Sequence, residues 1–477
     1  MHTRRRVICW MSFCSSIPLL LAGLLQFVGC LGIARADVTL TTLVSFNGTN
    51  GANPTATLVL AGDGNFYGTT TIGGTNYNGS RTTYGTIFRI GTNGTFTNLF
   101  TFLNTNGANP ASGLALGTDG RLYGGTQGGT NSRGSIFRFT TNGVFTNLFL
   151  FNGTNGYWPN RLAPGTDGNL YGTTQYGGTN IVKDPYGFGY GTVFRVGTNG
   201  VVTNLVSFDG ITLDSPLAGL IQGADGSFYG TTSVGGTNGD GSVFRFATNR
   251  TVTNLYSFSY SDGFYPQAAL AQGFDGNIYG ATYYGGSNGL GTVFRLTTNG
   301  AFTSLLLFEN TNGANPAAAM IMGADGLLYG AALEGGAGTN GATAGIAGTV
   351  FAISTNGLLT TLAAFNNTNG LNPAGGLALG PDGAFYGTTE NGGMYGLGTI
   401  FRVQVTPSFK TIRRTNGAVT FSWSGLAGQI YQPQYRTNVT QVTWSNLGGT
   451  ITATNGTPTA SDPGTDPLRI YRVMLLP

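Results

Sequence analysis

The chain has 477 residues, 22 Lys+Arg against 18 Asp+Glu, three cysteines and one histidine. Cys9, Cys14, Cys30 and His2 all lie before residue 37, so the rest of the chain holds no thiol and no imidazole. Within that portion, Cys/His zinc sites, Ser-His-Asp triads and Cys-His dyads are excluded.

Residues 1–36 read as a secretory signal peptide. Arg4, Arg5 and Arg6 precede the apolar run IPLLLAGLLQFVG, and Ala34-Arg35-Ala36 supplies a small-residue cleavage pattern. The apolar stretch is short for a membrane span, and no transmembrane segment is expected after cleavage. Cleavage would remove Arg4, Arg5, Arg6 and Arg35, taking Lys+Arg from 22 to 18 against 18 acids, so the formal +4 becomes zero. The basic balance therefore belongs to the leader and is no argument for nucleic acid, which needs a cationic stripe on the folded domain. A secreted or outer-surface, extracytoplasmic protein is expected.

From residue 37 one unit repeats seven times. The pattern DG-x-[FLI]-YG places tyrosines at 67, 123, 171, 229, 279, 329 and 386. A second anchor, G-[TS]-[IV]-F, places phenylalanines at 88, 137, 194, 244, 294, 351 and 401. A Phe followed eight residues later by Pro forms the third, from Phe46/Pro54 to Phe365/Pro373. Each unit reads as four strands. SGLALG is typical of strand A, RLYGGT of B, GSIFRF of C and VFTNLFLF of D. Asp-Gly joins A to B and Asn-Gly joins C to D, the strongest short hairpin signals. About 50 residues and four strands per unit is a propeller blade.

Residues 38–46 are a strand D with no A, B or C before them. Residues 374–403 supply A, B and C, and no strand D follows. The first strand is expected to complete the last blade and hide an edge that would otherwise invite aggregation. The fold class is all-β: a seven-bladed β-propeller over 37–405, closed by the N-terminal strand, followed by a small β-sandwich.

The repeats resemble the GloVer tandem repeat of the choice-of-anchor family of secreted bacterial proteins. Tyr67-Gly68-Thr69-Thr70, Gly73-Gly74 and Gly85-Thr86-Ile87-Phe88-Arg89, with their six echoes, carry the resemblance. It implies surface location and a variable C-terminal anchor, and no established activity. Ala352 departs from the recurrent Arg, and Arg250 from the Gly of a TNG turn. Residues 406–477 contain none of the anchors. VTFSWSG, IYQPQYRT and RIYRVMLLP read as strands of a fibronectin III or immunoglobulin-like sandwich, with Trp423 and Trp444 expected in its core.

The large length variation falls in the B–C loops. Between Gly-Gly and strand C, repeats 2, 4, 5 and 7 use four residues, whereas repeats 1, 3 and 6 use 10, 12 and 11. Insertions confined to one face of a rigid scaffold mark its binding side. On that face repeat 3 carries Tyr157-Trp158 before its Pro, with Arg161 just beyond, and its long loop adds Tyr186 and Phe188. Repeat 5 carries Phe264-Tyr265. Aromatics on a polar rim suit stacking on sugar rings or a protein contact; packing within the loops is the bland alternative. These seven residues are the candidate ligand site. The Asp of each DG turn is expected to serve the turn and to pair with strand-C arginines.

Strand A carries no acid, so a glycosidase-like carboxylate pair would have to come from loops, Asp214 and Asp262 being the nearest candidates. The expectation is a monomeric, non-enzymatic scaffold without cofactor, metal or catalytic residue, whose partner is a polysaccharide or a surface protein. A polysaccharide hydrolase or lyase is the alternative, and a structural envelope protein the third.

Overall fold

The computed structural model describes residues 38–75, 77–79, 83–130, 132–180, 187–323, 325–336, 347–405, 409–415, 418–423, 430–438, 440–453, 457–464 and 469–476. The proposed signal segment 1–36 and Tyr186 lie outside them. The chain divides into two compact units. The larger comprises Leu40–Met322 and Leu327–Val403, and the smaller includes Gln404–Pro477.

Every described element is a strand, and the fold is propeller-like. Among the described residues the larger unit holds seven antiparallel sheets, each open and most four-stranded. The second repeat shows the plan: Leu114–Leu116, Leu122–Thr126, Ser135–Phe139 and Phe145–Leu150 lie side by side in chain order. The sheet of the last repeat takes its fourth strand from far away, Val38–Ser45 lying beside Thr399–Val405.

The anchors explain why these residues form these sheets. Gly68 pairs across the ladder with Phe88, and a Cβ on Gly68 would stand 2.5 Å from the Phe88 ring. Only glycine leaves room for that ring, so Tyr-Gly in one strand and Phe in the next are one packing unit. The C–D pairing is bulged at the same place in repeat after repeat, between Ile87 and Phe88 in the first and Ile136 and Phe137 in the second. The bulge increases local twist.

The core sits between successive sheets, not within one. Tyr171 of repeat 3 lies on Phe228 of repeat 4, ring centroids 4.2 Å apart, and Tyr329 on Phe385 at the same distance. Tyr386 of the last repeat packs in this way on Phe66 of the first, at 4.4 Å. One buried cluster joins Phe46, Leu58, Phe66 and Phe88 to Ala384, Tyr386 and Ile400.

In the smaller unit, Phe409–Thr415, Ala418–Trp423 and Thr459–Asp462 form one sheet. Ile430–Arg436 is the centre of the other, pairing with Ser445–Asn446, Ile451–Thr452 and Ile470–Leu476. Phe421, Trp423, Tyr431 and Tyr471 share one core. Trp423 is fully buried. Trp444 is only partly buried, and the guanidinium carbons of Arg436 and Arg472 lie over its ring at 4.8 and 4.4 Å.

Candidate ligand-binding site

The turn aspartates are structural. In six repeats the recurrent tyrosine donates its hydroxyl to the Asp four residues earlier, from Tyr67–Asp63 to Tyr386–Asp382, at 2.7 to 2.9 Å. The other carboxylate oxygen accepts a backbone N–H two residues on, as in Asn65 N to Asp63 Oδ1. Pairing with the strand-C arginine is recorded at Arg245–Asp225 and Arg402–Asp382, so the tyrosine, rather than arginine, is the recurrent partner. Burial alone would raise the Asp63 carboxyl's pKa, but hydrogen bonds from Asn65 and Tyr67 outweigh it and hold it below the usual value.

The residues before each recurrent proline build the opposite end. Asn53, Asn109, Trp158, Ser215, Tyr265, Asn315 and Asn372 all adopt positive φ, between 51° and 59°. In this conformation the backbone N–H reaches the preceding repeat, as from Asn315 to Leu290 O and from Trp158 to Arg133 O. Asparagine suits the slot because it tolerates left-handed backbone. Its amide adds a second tie, Asn315 Nδ2 donating to Tyr283 O at 3.0 Å and Asn372 Nδ2 to Leu333 O at 3.2 Å. Trp158 and Tyr265 hold the same strained geometry with side chains ill suited to it.

These two residues anchor two aromatic groups. In repeat 3, Tyr157–Pro159 forms an extra strand against Leu170–Tyr176, setting Tyr157 opposite Tyr176. Tyr157, Trp158, Tyr176 and Phe188 then make mutual ring contacts between 5.1 and 6.4 Å. In repeat 5, Phe264 neighbours Tyr260, Tyr265 and Tyr284 at 5.9 to 6.1 Å. Phe188, Tyr260 and Tyr284 are exposed. Burial raises the Tyr176 pKa first, and Tyr265 and Asp214 add to it. Tyr283 is pushed up to about 12 by burial first and then by the charge of Glu334.

Sequence reasoning missed Tyr176, Tyr260, Tyr283 and Tyr284. Three of them precede the Gly-Gly pair, as QY-GG and YY-GG, where the other repeats carry smaller or acidic residues. That contrast was the available signal. Asp262 has both oxygens engaged, accepting from Ser259 N and Oγ and from the Tyr256 hydroxyl at 2.7 Å. Asp214 accepts from Ser215 Oγ at 2.8 Å.

Arg161 does not belong with the aromatics on the rim. It lines two cavities, of about 150 and 680 Å³, whose walls come from the strand-A segments of successive repeats. Each of the seven repeats contributes to the smaller one. Among the described residues, no group of three or more His, Cys, Asp or Glu is placed to hold a metal ion. Among them also, no helix is long and apolar enough to cross a membrane.

The sheets, the repeated anchors and the slots define an all-β, propeller-like repeat protein. The chain belongs to the Gloeobacter/Verrucomicrobia repeat family, whose model matches residues 30–183 and 181–346. No curated protein matches the sequence. Similar solved structures include a candidate 6-phosphogluconolactonase from Bacteroides uniformis, with 14% identity, covering 84% of this chain and 100% of that one, TM-score 0.46. Another is the aldose sugar dehydrogenase of Streptomyces coelicolor in its PQQ-bound form, with 13% identity over 61% of this chain and 93% of that one, TM-score 0.41. A luciferin-regenerating enzyme is 13% identical over 69% of this chain and 97% of that one, TM-score 0.39. Likeness this distant carries no argument about activity.

Proposed function

We propose that this protein is a secreted or cell-surface binding scaffold, not an enzyme. A seven-bladed propeller over 37–405, closed by the first strand, binds a carbohydrate through the loop face that carries Tyr157, Trp158, Phe264 and Tyr265. Residues 406–477 form a fibronectin III or immunoglobulin-like module that attaches or sorts it, and residues 1–36 direct export. Ring closure is supported by the buried cluster that joins the first and last repeats.

One observation carries the binding reading. Four repeats place Asn in a slot that demands positive φ, whereas repeats 3 and 5 place Trp158 and Tyr265 there and accept the strain. Strain retained at particular residues of a repeated scaffold points to function. Exposed aromatic faces beside polar groups suit sugar rings. A protein partner is the other ligand class this face suits. A hydrolase reading gains no support from Asp262, whose oxygens are already engaged.

The test restores the repeat's own residue. Trp158→Asn combined with Tyr265→Asn should abolish binding on a panel of plant and bacterial polysaccharides while the protein stays folded. Unchanged binding would remove the aromatics from the site, and wild-type binding to no saccharide would leave the protein partner.

A further inference from the structure

Among the described residues, Arg161 is the one charged residue on the walls of either cavity. Its Nε donates to the Leu114 carbonyl oxygen at 3.2 Å, which fixes the guanidinium against the preceding repeat. The ion pairs among the described residues are Arg121–Asp119, Arg245–Asp225, Arg402–Asp382 and Arg469–Asp462, and Arg161 is in none of them. A guanidinium stays protonated at every physiological pH, and one that lines a cavity with no carboxylate partner offers an anion a site. Burial pushes its pKa down, with no carboxylate acting the other way.

The wall of the smaller cavity also carries the Gln267 amide, while Ala111, Ala218 and Ala318 keep it narrow. A cavity of about 150 Å³ has room for an acid group and a few waters. The terminal guanidinium nitrogens supply the fork that carboxylate and sulfate oxygens match.

The segment Tyr157-Trp158-Pro159-Asn160-Arg161 connects this receptor to the aromatic group of repeat 3. We propose that the ligand is an anionic saccharide. Its acid group enters the small cavity and meets Arg161 and Gln267, and its rings stack on Tyr157, Trp158 and Tyr176. This rests on the carbohydrate-binding reading and narrows it to acid-bearing sugars. Asp214, Glu334 and Glu390 on other repeats disfavour densely charged polymers and can accept sugar hydroxyls.

Binding of the full chain to four oligosaccharides tests it: oligogalacturonate, its methyl-esterified neutral twin, a sulfated κ-carrageenan oligomer and its desulfated twin. At least one acidic member should bind ten-fold or more tighter than its neutral twin, and which pair discriminates separates carboxylate from sulfate. Arg161→Gln should erase that preference and leave the melting temperature unchanged or higher, since it removes an unpaired cation. Trp158→Asn should weaken both members of the pair. Equal affinity for the twins, retention of the preference in Arg161→Gln, or a lowered melting temperature in that variant would overturn the assignment. Neutral saccharides bound through Trp158 with no acid preference would sink this inference and leave the scaffold reading standing. Binding of none of the four, with none on the wider panel, would sink this inference together with the carbohydrate-binding reading.

Discussion

At the residue scale, the slot before each proline separates stability from function. Its backbone is left-handed in all seven repeats, and asparagine there also ties one repeat to the previous one. A bulky residue in that geometry costs about 1–3 kcal/mol. Trp158→Asn and Tyr265→Asn are therefore each expected to stabilise the protein by about 1 kcal/mol. Thermal unfolding of the two variants measures this. A fall in melting temperature in both would mean that the aromatics hold the loops together. The arginine at 250 follows the same logic: it takes φ 70° where other turns have glycine.

At the scale of the strand and its turn, the repeated unit is an Asp-Gly turn closed by a tyrosine. Tyr67, Tyr123, Tyr229 and Tyr279 are each pushed up to about 12, first by burial and then by the hydrogen bond to the turn aspartate. A raised tyrosine pKa means stability that is complete below pH 10 and lost as pH rises from 10 towards 12. The lowered Asp63, Asp119, Asp167, Asp225 and Asp275 work at the other end, their contribution present above the ordinary pKa of 3.8 and lost as pH falls below it. The melting temperature should stay level from about pH 5 to 9 and drop at both extremes. Tyr279→Phe should make the alkaline drop shallower, and an identical pH profile in that variant would refute the account.

For the whole molecule, the first strand is expected to be the latch. Phe46 is fully buried, its N–H donates to Gly398 O at 3.0 Å, and its ring meets Phe88 and Phe96 of the first repeat at 5.5 and 5.8 Å. It thus links the last sheet to the first repeat. Phe46→Ala should cost about 3–5 kcal/mol. Denaturant unfolding measures that loss. Removing Val38–Phe46 should uncover Thr399–Val405 as an edge strand and drive association, read by light scattering. A monomer of undiminished stability after that truncation would contradict ring closure.

The seven-fold recurrence of Tyr-Gly, Phe and Pro, with Phe and Pro eight residues apart each time, determined by itself the repeat, its strands, its turns and the side that varies. These are local matters, settled by hairpin chemistry and by a glycine that must sit under a phenylalanine ring. The aromatic candidates Tyr157, Trp158, Phe264 and Tyr265 were legible because they break a repeated pattern. The tertiary structure alone decided the rest. Tyr176 joins the cluster only because an extra strand sets it opposite Tyr157. Arg161 reads in sequence as one more loop charge, and it lies in a cavity walled by distant repeats. The strain at Trp158 and Tyr265 is a dihedral angle, invisible in the letters. Contacts between repeats some fifty residues apart are set by how sheets stack, and no spacing within one unit encodes what the neighbouring unit places beside it.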